Sequence, residues 1–122
     1  MRLKIAHLYP DLLNLYGDSG NILCLSKRCE WRRIDCEVKP LTAGNDFTFD
    51  DFDIVVIGGG QDREQSLVLK DLSVKKRDSL HNAVQSGTVV LAICGGYQLL
   101  GKSYETSSGA CLEFTGILDL YT

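Results

Sequence analysis

Apolar positions in this chain come in short blocks, and the spacing inside each block predicts an element. Residues 3–8 form a short β-type run and predict a strand, stopped by Tyr9-Pro10 because proline cannot donate to a ladder. Residues 11–20 mix apolar and turn residues and predict a loop with room for one helical turn. Asn21 is the expected cap of a helix whose apolar positions, Ile22, Leu25, Cys29 and Ile34, roughly follow the 3.6-residue period. Residues 36–41 predict a second strand, and the polar stretch 42–53 a connection.

Ile54-Val55-Val56-Ile57 is a continuous β-branched run that Gly58-Gly59-Gly60 ends abruptly. Such a run, with no polar alternation, is expected of a central parallel strand covered on both faces. Residues 67–86 predict a helix, broken near Ser73 and stopped by Gly87. Val89-Val90-Leu91-Ala92-Ile93 predicts a second buried strand. It runs straight into Cys94-Gly95-Gly96, with a short helix expected over 97–101. Residues 111–114 and 116–120 predict further strand and loop.

Strands alternating with helices predict an α/β fold with a mostly parallel sheet and helices on both faces. Ligands of such sheets bind beyond the carboxyl ends of the strands. Both glycine clusters follow apolar strands, so they are expected on that one edge, in neighbouring loops. If strands beyond residue 122 join the sheet, these residues by themselves expose a hydrophobic edge.

The 122 residues suit one domain, spanning 1–122. Thirteen Lys+Arg against 16 Asp+Glu give a net charge of −3, which disfavours a nucleic-acid or anionic-membrane surface. The one basic run, Lys75-Lys76-Arg77, reads as a solvated helix face. No apolar run approaches the ~20 residues of a bilayer span, and the first residues lack an export signal's apolar core, so a cytoplasmic protein is expected. The five cysteines then read as free thiols. Cys24, Cys29, Cys36 and Cys111 form no C-x-x-C pair and only two histidines exist, so no metal site is expected. These four read as small buried hydrophobes or surface thiols.

Cys94 is different. A residue between a buried strand and a glycine pair sits on a sharp strand-to-helix turn, in strained backbone, with its side chain exposed at the sheet edge. The glycines that follow avoid a clash with the incoming helix. Unpaired N–H groups at a helix start favour a thiolate, which is the nucleophilic form. An amide under attack needs donors for its developing oxyanion. Gly95 N–H is one candidate, and Gly59 or Gly60 N–H the other. A phosphate-binding turn is the competing reading of Gly58-Gly59-Gly60, but the G-x-G-x-x-G spacing and a Walker lysine are both missing.

Ala92-Ile93-Cys94-Gly95-Gly96-Tyr97-Gln98-Leu99-Leu100-Gly101 resembles the nucleophile motif of class I glutamine amidotransferases, nearest the cobyric-acid-synthase-like branch. The stretches 8–18 with Gly20-Asn21, and Gly58-Gly59-Gly60-Gln61-Asp62-Arg63-Glu64-Gln65, narrow the likeness to the glutaminase subunits of lipid II isoglutaminyl synthases. The resemblance implies a flavodoxin-like domain, here its N-terminal part, that hydrolyses L-glutamine through a Cys94 thioester. It implies Gly60 and Gly95 as oxyanion donors and Gln98 and Gln61 as substrate-binding residues. It implies no cofactor in this chain, and a Mur-ligase-like synthetase partner of the MurT type. That partner would use ATP and magnesium to amidate the D-glutamate of the peptidoglycan stem.

One departure stands out. The family's catalytic histidine lies well downstream of the cysteine, and residue 122 is only 28 past Cys94. His7 and His81 match no family position. His7 reads as structural or partner-facing, and His81 as solvated. Little glutaminase activity is therefore expected of these residues alone. A non-catalytic docking module and a cysteine-centred redox protein are the rival readings.

Overall fold

The four strands expected over 3–8, 36–41, 54–57 and 89–93 become four parallel strands in the computed structural model, which describes residues 1–14, 17–72 and 74–122. Leu15, Tyr16 and Ser73, on which the first loop and the expected helix break partly fall, lie outside the described residues. The order is β1 (Arg2–Leu8), α1 (Ser19–Trp31), β2 (Asp35–Leu41), β3 (Ile54–Ile57), α2 (Asp62–Asp71), α3 (Val74–Gln85), β4 (Val89–Ala92) and α4 (Gly95–Leu100), then β5 (Ser103–Glu105) and β6 (Cys111–Glu113). The main sheet runs β2-β1-β3-β4, while β5 and β6 form a separate antiparallel pair. The fold is the expected mostly parallel α/β sheet of a flavodoxin-like domain.

Register brings the chemistry to one edge. Leu8 pairs with Ile57, and Ile57 with Ala92, so three strands end level. The triple-glycine turn and the Cys94 turn leave from adjacent strands there. Ala6, Leu8, Val55 and Ile57 enter the core with Val68 of α2, Leu72 just after it, and Leu80 and Ala83 of α3. Strand alternation sends Ile5 and Val56 to the opposite face, where Leu25 and Cys29 of α1 border a groove with Leu3, Ile5 and Ile54.

Several expectations are corrected. β4 is not covered on both faces. It is an edge strand among the described residues, with Val90 and Ala92 packed on the core and Val89 and Leu91 exposed at 60% and 37%. An apolar run shows that both faces can be buried, not that an element covers each. α1 starts at Ser19 rather than after Asn21, because the Asn14 side chain accepts the Ser19 N–H at 2.9 Å. The cap position falls to Asp18, whose carboxylate is engaged elsewhere. The helix expected over 67–86 begins at Asp62 and is two helices, and Asp62 and Glu64 suit the positive end of α2.

The basic run is not wholly solvated either. Lys76 is buried, with Nζ 2.8 Å from Asp71 Oδ2, 2.9 Å from the Asn45 carbonyl and 4.2 Å above the Phe47 ring. The same Asp71 carboxylate accepts the Tyr9 hydroxyl at 2.7 Å and the Gly44 N–H at 2.8 Å. Three segments distant in sequence, β1's end, the 42–53 connection and the α2–α3 junction, are tied by one carboxylate.

Burial alone would raise the Asp71 pKa, but the Gly44 N–H, Lys76 and Tyr9 donors outweigh it and hold it below the ordinary value. Replacing Asp71 by alanine strands a buried ammonium, so unfolding should become easier by about 3 kcal/mol, read from the urea midpoint. The sign for pH follows. A depressed folded pKa adds stability above the unfolded value of about 4, and that stability is lost as pH falls through the folded value. Asp71→Asn should therefore flatten the stability loss on acidification below about pH 4.

Candidate functional site

Ile93 continues β4 by donating its N–H to the Ile57 carbonyl at 2.9 Å, and the chain then turns sharply at Cys94. Cys94 has φ 49° and ψ −109°, a region a non-glycine residue rarely adopts, and its side chain is exposed. The turn is locked by Gly96 N–H to Ile93 O at 2.9 Å and Gln98 N–H to Cys94 O at 3.0 Å. α4 can start here only because Gly96 has no side chain. A Cβ on it would lie 2.6 Å from the Ile57 carbonyl and 2.7 Å from that of Gly58.

The triple-glycine turn is pinned from its other side. Asp18, 1% exposed, accepts the Gly59 N–H at 3.0 Å, and its own Cβ fills the space where a Gly58 side chain would go. Because Gly59 N–H is taken, Gly60 is the free donor of the pair. The Cβ position of Gly95 lies 3.2 Å from the Gly60 nitrogen and 3.1 Å from its carbonyl oxygen. Gly60 and Gly95 N–H therefore belong to touching turns, and neither has an acceptor among the described residues.

An open cleft of about 480 Å³ lies over this contact. Gly60, Gln61, Gln98 and Cys94 all line it, so the structure brings together every site residue expected from sequence, with Gly95 beneath. Five more residues join them: Asp62, Arg63, Gln65, Tyr104 and Ser107. Gln65 is buried and donates Nε2 to the Gly60 carbonyl at 3.1 Å and to Gln98 Oε1 at 3.2 Å. Tyr104 reaches the cleft from β5 with its ring stacked on Phe114. The Asp62 carboxylate beside it, then burial and the charge at Cys94, push the Tyr104 hydroxyl above its ordinary pKa.

Neither histidine lines the cleft. His7 sits in β1, buried, and desolvation lowers its pKa while the nearby Asp18 carboxylate pulls the other way. Burial makes it structural rather than partner-facing. His81 is exposed on α3, as expected. No group of three His, Cys, Asp or Glu side chains that could hold a metal occurs among the described residues. No helix among them is long and apolar enough to cross a membrane. Of the residues missed from sequence, Tyr104 lay in a stretch with no clear period, and Gln65 lay ahead of the helix expected over 67–86, at the end of the 58–65 motif, with nothing to mark it for a role.

Comparison with known proteins bears directly on this geometry. Residues 4–122 match the CobB/CobQ-like glutamine amidotransferase domain. The chain is 49% identical over 120 residues to the GatD subunit of lipid II isoglutaminyl synthase (glutamine-hydrolyzing) from Staphylococcus aureus, covering 98% of this chain and 49% of that protein. It is 46% identical over 121 residues to the subunit of the same name from Streptococcus pneumoniae, covering 99% and 46%. A cobyrinate a,c-diamide synthase of Archaeoglobus fulgidus is 40% identical over 72 residues, 59% of this chain and 15% of that enzyme. The chain spans about half the length of the two GatD subunits.

The close approach of the two turns predicts unequal costs for glycine substitutions. Gly96→Ala drives a Cβ into two carbonyl oxygens and should destabilise by roughly 1–3 kcal/mol. Gly20→Ala, in the first turn of α1 with nothing within 4 Å, should be neutral or stabilising by up to about 1 kcal/mol. Paired thermal melts of the two variants measure the difference.

Proposed function

The chain belongs to the CobB/CobQ-like glutamine amidotransferase family, and on that footing we propose that it is the nucleophile-bearing part of a glutaminase subunit. The Cys94 thiolate adds to the side-chain carbonyl carbon of L-glutamine. The carbonyl π pair moves onto oxygen, where the Gly60 and Gly95 N–H groups donate to it. Collapse breaks the C–N bond, and the nitrogen leaves as ammonia after taking up a proton. The γ-glutamyl thioester left on Cys94 is hydrolysed to glutamate and free thiol. Gln98 and Gln61 hold the substrate's amino-acid end. The observation that carries this reading is the meeting of a strained, exposed Cys94 with two unclaimed N–H groups on touching turns.

The ammonia is consumed by a Mur-ligase-like synthetase subunit of the MurT type, which amidates the D-glutamate of lipid II. The names of the two GatD relatives support the setting of a lipid II isoglutaminyl synthase, and the MurT type rests on the motif resemblance. ATP and magnesium belong to that synthetase, and the glutaminase chemistry itself needs neither cofactor nor metal. The assembly acts in the cytoplasm, where ATP is supplied.

Incubation of the intact gene product with 6-diazo-5-oxonorleucine should place the adduct on Cys94 by mass spectrometry. Labelling at another residue, or none with the synthetase present, overturns the assignment. Cys94→Ala should cost several orders of magnitude in glutamine hydrolysis, as removal of a nucleophile does elsewhere. Because neither imidazole reaches the cleft, residues 1–122 alone should hydrolyse glutamine far more slowly than the intact product. Equal rates would show that the proton is handled by a group already present. Peroxide-driven sulfenic acid at Cys94 with no response to glutamine would instead favour the redox reading.

A further inference from the structure

Gln65 is sealed beneath the cleft at 2% exposure, and chemistry settles which way its amide points. The Gly60 carbonyl oxygen can only accept, so the Gln65 atom 3.1 Å from it must be Nε2. The second hydrogen of Nε2 is directed at the Gln98 side chain 3.2 Å away, and a donor there requires Gln98 Oε1. The opposite orientation of Gln65 would set Oε1 against a carbonyl oxygen. The present one leaves Gln65 Oε1 buried with no partner among the described residues, a cost the fold tolerates to keep the Nε2 contacts. With Oε1 committed to Gln65, Gln98 has its own Nε2 left for the cleft it lines.

The geometry points to a relay, from the Gly60 carbonyl through Gln65 to Gln98, in which Gln65 is a positioning residue that makes Gln98 a hydrogen-bond donor toward substrate. The relay rests on the glutaminase reading and adds a specificity to it. An unlinked glutamine amide could present either end. A linked one presents N–H, so the ligand group facing Gln98 is an acceptor, a carboxylate or carbonyl oxygen, and not the α-ammonium. The same bond fixes the Gly60–Gln61 peptide, which adjoins the Gly60 N–H.

Steady-state glutaminase kinetics on the intact protein test this with Gln65→Glu, Gln65→Met and Gln98→Ala. Gln65→Glu preserves shape but removes the donor. It should raise KM for L-glutamine roughly tenfold, about the worth of one neutral hydrogen bond, and Gln65→Met should do the same. Alkylation of Cys94 by iodoacetamide, which needs no amide recognition, should keep its wild-type rate. In a Gln98→Ala background, Gln65→Met should add no further rise in KM. A Gln65→Glu protein with wild-type KM overturns the relay, because shape alone would then suffice. So does a Gln65→Met effect of equal size with and without Gln98. The wild-type control separates the two ideas. If it neither binds nor hydrolyses glutamine, the functional reading fails. If it turns over and the variants behave alike, only the relay fails.

Discussion

The site depends on one close approach, in which the turn after β4 lies directly on the turn after β3. Gly96 faces the Ile57 and Gly58 carbonyls, and Gly95 faces both backbone atoms of Gly60. Parallel pairing makes this possible, since Ile57 and Ala92 end level and both chains leave the sheet at its carboxyl edge. Two N–H groups with no acceptor among the described residues then lie beside the Cys94 turn, supplied by the backbone itself. Backbone donors suit a developing oxyanion because they cost little reorganisation when charge appears.

The sheet and the Cys94 turn were both legible because their signals are local. Ile54–Ile57 is β-branched and closed by glycines, and the strand–Cys–Gly–Gly–helix order needs only a few adjacent residues. What was not legible depended on partners far along the chain. Asp18 looked like a turn residue, yet its carboxylate serves Gly59, 41 positions away. Lys76 looked solvated within a basic run, yet it neutralises Asp71 in a buried cluster. Val89 and Leu91 looked like core positions because an apolar run does not reveal whether an element lies over it. Gln65 differs from its polar helix neighbours only in facing Gly60 and Gln98.

Most buried polar side chains among the described residues have one task, to hold a connection that the sheet cannot. Asp18 holds the triple-glycine turn, Gln65 holds Gly60 and Gln98, and Lys76 with Asp71 holds the 42–53 segment. Burying such groups is expensive unless they are satisfied, so their presence marks where loop geometry matters to this fold. Two of the three act at the cleft. His7 fits the pattern less well, because its Nε2 has no partner among the described residues. Desolvation keeps its ring uncharged in the face of Asp18, which makes it a poor proton carrier as well as a distant one.

On the glutaminase reading, proton handling is the step for which the cleft offers no imidazole among the described residues. Hydrolysis of an amide moves a proton off the thiol and another onto the departing nitrogen. Main-chain N–H groups stabilise charge but carry no exchangeable proton for that purpose. Tyr104 borders the cleft, yet Asp62 raises its pKa further from neutrality, so its hydroxyl stays protonated and acts as a donor rather than a base. Both imidazoles lie elsewhere, one inside the sheet and one on the outer face of α3. On that reading, the 122 residues hold the part of the reaction that geometry performs, a strained Cys94 beside two backbone N–H groups on touching turns. On the glutaminase reading, the part that acid–base chemistry performs must be brought to the open side of the cleft by another group.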